Sequence, residues 1–152
     1  MENKKIAVEF TKKQFFALMK AVYLGNWMAN AQREENFKED YEKIKHYVFS
    51  QASKFDLDEF VSHEKTDGDN YYSTWKFEEE TDVDYLHDEY DEENFWDEIC
   101  DRLAERDFER EFSKKEIERM SADERMDKFY RHVEKWENEL NAHGIDRLEI
   151  KK

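Results

Sequence analysis

The chain has no proline and only three glycines in 152 residues. An all-β domain needs many tight turns, and tight turns draw on Gly and Pro for their special φ angles. A chain so poor in both must cover its length in a few long elements, and without internal proline its helices can run unbroken. The expected class is mainly α: a single domain over residues 1–152, folded as an antiparallel bundle of about five helices with short extended termini. The low hydrophobic share of 38% is offset by an aromatic share of 16%. Each buried ring removes a large area from water, so the chain reads as folded around a small, ring-rich core.

Element boundaries follow from capping residues and apolar spacing. Ile6, Val8 and Phe10 alternate, as a short strand does. Thr11 with Gln14 forms a capping box for a first helix over 12–33. Its apolar residues cover nearly the whole circumference, which predicts a central position. Asn36 with Glu39 opens a second helix, whose stripe is Phe37, Tyr41, Ile44, Val48, Ala52 and Phe55. The segment from His63 to Ser73 contains TDGDN and reads as a loop. Thr81 caps a helix with Val83, Leu86 and Tyr90 on its buried side. The stripe loses register near Glu93 and Asn94, where a bend or a fresh cap is expected, and resumes with Phe95, Ile99 and Leu103. Ser113 with Glu116 and Ser121 with Glu124 bracket a short helix. Met126, Phe129, Val133, Trp136 and Leu140 mark a long last one, which Gly144 stops. Ile145 to Ile150 is expected to pair as a strand with residues 6–10.

Two stretches, YLGNWMANAQR from Tyr23 and FWDEICDRLAERDF from Phe95, resemble small bacterial helical proteins with no assigned activity. The resemblance implies a bacterial cytoplasmic protein and no mechanism.

Charge is distributed unevenly. The formal net charge is −15, and the window from Phe77 to Asp101 holds 13 carboxylates and no Lys or Arg. The remaining 27 acids face 25 bases. Such a segment repels nucleic-acid backbones and anionic membranes and attracts cations or basic protein surfaces. A lone cysteine, Cys100, allows no internal disulfide. With no signal-like or membrane-length apolar run, the chain is expected to be soluble and cytoplasmic.

Three candidate sites emerge. The first is a partner-binding face of Asp84, Asp88, Tyr90, Asp91, Glu92 and Trp96, in which carboxylates steer a basic protein surface and rings anchor it. An inhibitor or nucleic-acid mimic is one form of this reading, and the aromatic content also allows a homodimer. The second candidate is a divalent-metal site or metal-dependent active centre of Asp84, His87, Asp88 and Asp91, which fall on one helical stripe. A solvated acidic face is the commoner outcome, because no second Asp/Glu-x-x-His copy completes a helical metal site. The third is the polar end of the first helix. There the stripe Phe15, Met19, Val22 continues as Asn26, Asn30 and Arg33, beside Trp27. Buried amides there imply an internal hydrogen-bond network or a small ligand pocket, while Arg33 also fits a helix end emerging into solvent. No phosphate loop or nucleophile elbow is present, so no catalytic residue is assigned.

Overall fold

The computed structural model describes residues 6–66 and 68–150. It is mainly helical, with a two-stranded sheet. The helices are α1 (Lys12–Asn30), α2 (Glu39–Phe49), α3 (Trp75–Glu80), α4 (Val83–Glu111), α5 (Lys114–Arg119) and α6 (Ala122–His143). Short 3₁₀ turns at Ala52–Phe55 and Asp58–Phe60 lead into strands β1 (Val61–Glu64) and β2 (Asn70–Ser73). No described helix is long and apolar enough to cross a membrane. The fold divides into two compact units, Met1–Asp88 and Glu89–Lys152, and the division falls within α4.

In the first unit, Thr11 makes the expected capping box. Its Oγ1 accepts the Gln14 N–H at 3.3 Å, and Gln14 Oε1 accepts the Thr11 N–H at 2.9 Å. The core gathers Phe15 and Met19 of α1, Val48 and Phe49 of α2, Ala52, Leu57, Phe60, Phe77 and Val83. Phe77 lies at its centre, fully buried. The α1 helix is not enclosed on all sides: Ala17, Ala21 and Met28 stay exposed. The second helix begins at Glu39, because Asn36 takes a left-handed φ of 58° and so lies outside any helix. Its buried face is Val48 and Phe49, while Phe37, Tyr41 and Ile44 remain exposed.

The segment expected as a loop is a β-hairpin. Val61 pairs with Ser73, and His63 with Tyr71, in an antiparallel register. The Gly68-Asp69 pair turns the chain with positive φ at both residues, as the TDGDN signal implies, and a strand flanks the turn on each side. Tyr71 and Tyr72 are good strand formers, but only four residues sit on each side of the turn. The strand expected at Ile145–Ile150, paired with residues 6–10, does not form: neither segment is a strand. Strand Asn70–Ser73 lies against α2 and α3 instead.

In the second unit α4 and α6 pack through Cys100, Ala104, Val133 and Leu140, flanked by Trp96, Ile99, Leu103, Phe129 and Trp136. Phe108 is buried as well. The expected break near Asn94 is absent, and α4 is one helix of 29 residues. Asn94 is accommodated because its amide donates to the Tyr90 carbonyl one turn back, at 2.8 Å. Ser113 and Ser121 cap α5 and α6 as expected. The Ser113 N–H and hydroxyl both donate to Glu116, and Ser121 Oγ accepts the Glu124 N–H at 3.1 Å. Gly144 ends α6 with φ 56° and ψ −139°, a conformation that only glycine adopts readily.

Candidate interaction surface

The first half of α4 carries the acidic run. In the first unit only Val83 is buried there; Asp84, Tyr85, Leu86 and Asp88 are exposed. The expected buried stripe of Val83, Leu86 and Tyr90 is therefore reduced to its first member. In the second unit Glu89 to Phe95 are all exposed, with Tyr90 at 47% and Phe95 at 49%. In the first unit Asp84 and Asp88 lie one helical turn apart, and in the second Asp91 and Phe95 do so.

Bases neutralise the run only in part. Lys20 pairs with Asp82 at 2.7 Å, Lys76 stands 3.7 Å from Glu80, and Arg102 reaches Glu98 at 2.6 Å. Among the described residues Asp84, Asp88, Asp91, Glu93, Asp97 and Asp101 make no ion pair. Glu78 is spent internally: it accepts the Tyr23 hydroxyl at 3.2 Å and the Ser73 hydroxyl at 2.8 Å. The carboxylates without an ion pair among the described residues are thus mostly on α4, at Asp84, Asp88, Asp91, Glu93, Asp97 and Asp101.

Burial, with the Glu78 charge and hydrogen bond, pushes Tyr23 up to about 12. The folded protein therefore holds this proton to higher pH than the unfolded chain, whose tyrosine titrates near about 10. The resulting stability is fully present below about pH 10 and is lost as pH rises through about 12. Tyr23→Phe should flatten this alkaline decline. Urea denaturation of the two proteins across that pH range measures the difference in slope; identical slopes would show that Tyr23 is not protonated preferentially in the fold.

Trp96 does not belong to the exposed face. It packs on the second unit's core, and its indole N–H donates to Glu92 at 2.6 Å. The packed positions on α4 are 96, 99, 100, 103 and 104, so Ile99 and Leu103 lie where expected and Trp96 takes the place expected of Phe95. Phe95 is consequently the exposed ring and Trp96 the half-buried one. Asp84, Asp88, Tyr90 and Asp91 are exposed, while Glu92 is engaged with Trp96.

The metal reading fares differently. Among the described residues no group of three or more His, Cys, Asp or Glu side chains is placed to hold a metal ion. Asp84, His87, Asp88 and Asp91 therefore do not form one. The imidazole of His87 instead meets the Trp27 ring edge to face.

At the polar end of α1 the asparagines form an internal network. Asn30 is buried; its amide donates to Asn26 Oδ1 at 3.0 Å and to the Lys38 carbonyl at 3.3 Å. Its Oδ1 accepts the Lys38 N–H at 2.7 Å. This clamp holds the start of α2 against the end of α1. Arg33 is exposed and donates to the Ala29 carbonyl at 2.8 Å; it is the helix end emerging into solvent. Asn26 and Asn30 thus form the clamp, and Trp27 makes an aromatic contact with His87.

No family description, curated protein or solved structure matches this chain.

One cluster escaped sequence reasoning. Asp107, only 17% exposed, accepts from Arg106 at 2.9 Å, Lys135 at 3.2 Å and the Trp136 indole at 3.1 Å. Burial pushes its carboxyl up, but the hydrogen bonds from Arg106 and Lys135 outweigh that and hold it below the usual carboxylate value. The pairing joins residues nearly thirty positions apart, so no local spacing announces it. The Cys100 thiol donates to the Val133 carbonyl at 3.5 Å, and burial with the Glu137, Asp101 and Asp97 charges raises its pKa. A thiol kept protonated is a poor nucleophile, which fits its place in the core.

Proposed function

We propose that the protein is a non-enzymatic interaction module whose α4 segment, from Asp84 to Phe95, docks on a basic protein surface. The observation that carries this reading is the set of exposed carboxylates at Asp84, Asp88, Asp91 and Glu93 without a described ion pair, interleaved with exposed Tyr85, Leu86, Tyr90 and Phe95. Like charges one turn apart oppose helix formation by a few tenths of a kcal/mol per pair. A cationic partner relieves that repulsion, so the same charges that strain the free helix favour the complex. The carboxylates raise the encounter rate, and the exposed rings supply apolar area once the surfaces meet. A row of carboxylates along a helix also competes for surfaces that otherwise grip phosphates, which makes inhibition of a nucleic-acid-binding protein the natural outcome.

The experiment is capture of partners from lysate at low salt, followed by binding of the purified partner to the wild type and to a D84N/D88N/D91N/E93Q variant. The reading expects a basic partner whose affinity falls steeply with added salt, with the variant binding about tenfold or more weakly and with a shallower salt dependence. A partner that binds both proteins equally, or no basic partner even at low salt, overturns it.

A further inference from the structure

The second unit also carries a feature of the opposite sign. Arg106 and Arg110 of α4, Trp136 of α6, and Arg147, Leu148 and Glu149 beyond α6 line a cleft of about 450 Å³. A smaller hollow of about 180 Å³ shares Trp136, Arg147 and Leu148 with it and adds Leu140 and Gly144, with Lys135 and Glu139 at its edge. We propose that this cleft binds a small ligand bearing an oxyanion, phosphate or carboxylate, on an apolar body.

Asp107 gathers the bases beside the cleft. Its Oδ1 accepts from Arg106 Nε and Nη2 at 3.0 and 2.9 Å, and its Oδ2 from Lys135 and Trp136. The carboxylate is thus occupied on both oxygens and fixes the bases around it. Arg110 stands 3.7 Å away and makes no hydrogen bond among the described residues. Arg147 spends a single donor on Glu139, at 3.3 Å. A guanidinium carries several N–H donors in a planar fork that matches carboxylate or phosphate oxygens, so most of the donors of Arg110 and Arg147 are unspent. Around the cleft four bases, Arg106, Arg110, Lys135 and Arg147, face three acids, Asp107, Glu139 and Glu149, in a chain of net charge −15.

Size and lining narrow the ligand further. The cleft volume falls within the range of small-molecule sites. The indole of Trp136 already has Arg106 5.4 Å and Lys135 5.0 Å from its centroid, so it serves as wall and anchor for the cations rather than as a stacking platform. The apolar body belongs in the adjoining hollow beside Leu140 and Leu148.

The test is NMR titration of the ¹⁵N-labelled full chain with phenyl phosphate, benzoate and inorganic phosphate at matched ionic strength. The Trp136 indole and the amides of residues 147–149 are followed. Phenyl phosphate or benzoate should give saturable shifts there, and R110Q/R147Q should weaken binding by about tenfold or more, since each change removes a charge-assisted hydrogen bond. Both side chains are exposed, and an unchanged melting curve confirms that the variant folds. Whichever of the two aromatic ligands binds tighter identifies the oxyanion. The proposal is overturned if no saturable shift occurs, if the double variant binds equally well, or if inorganic phosphate matches both aromatic ligands, which would leave the hollow idle.

Discussion

Replacing Phe77 by Ala is expected to lower the stability of the protein by about 4 kcal/mol, the largest effect of any single substitution considered. Phe77 is fully buried, and four rings meet it edge-on or tilted: Phe16, Tyr23, Phe49 and Phe60, with centroids 6.1, 5.5, 5.4 and 6.3 Å away. These rings come from α1, α2 and the turn before β1, so a cavity at Phe77 removes the common partner of elements distant in sequence. A domain of ordinary size is stable by only about 5–15 kcal/mol, so the variant should unfold at far lower urea than the wild type. Phe95→Ala supplies the contrast, since that ring is 49% exposed and its loss should cost less than about 0.5 kcal/mol. Urea denaturation followed by circular dichroism measures both. Equal losses at the two positions would show that Phe77 is not the hub of this core.

Asn30→Leu is expected to cost about 2 kcal/mol although Leu is similar in size and more apolar. The substitution keeps the packing and deletes three hydrogen bonds, to Asn26 Oδ1, to the Lys38 carbonyl and from the Lys38 N–H. The Lys38 carbonyl still accepts the Tyr41 N–H at 3.1 Å; the Lys38 N–H loses its acceptor. Asn30→Asp separates the parts, because a carboxylate keeps the acceptor for Lys38 N–H while losing both donors and burying a charge. Both variants should fall below wild type in urea denaturation. A Leu variant as stable as wild type would mean that the polar end of α1 contributes nothing to the joint with α2.

The long elements were legible because their determinants are local. Thr11 with Gln14 and Ser113 with Glu116 close as capping boxes as their spacing implies, and Ser121 accepts the Glu124 N–H while the Glu124 carboxylate pairs with Lys128 instead of closing the box. The internal clamp at Asn30 was foreseeable because a buried amide must find partners. The failures share a cause. The hairpin Val61–Ser73 has strands too short for alternation to show. On α4, Phe95 and Trp96 are adjacent large rings, and local spacing fits either one; the facing Val133 and Leu140 of α6 decide in favour of Trp96. The Asp107 cluster depends on the same α4–α6 pairing, as does the cleft beside it. Sequence periodicity reports one helix at a time, and these features belong to two.

The proposed docking face rests on negative potential from Asp84, Asp88, Asp91, Glu93 and Asp97, which make no ion pair among the described residues. Its most direct measurement is paramagnetic broadening of the ¹⁵N-labelled protein by cationic and anionic nitroxide co-solutes of equal size. Amides from 84 to 97 should broaden much more with the cationic probe at low salt, and the difference should shrink as salt rises. Equal broadening by the two probes along that stretch would contradict it.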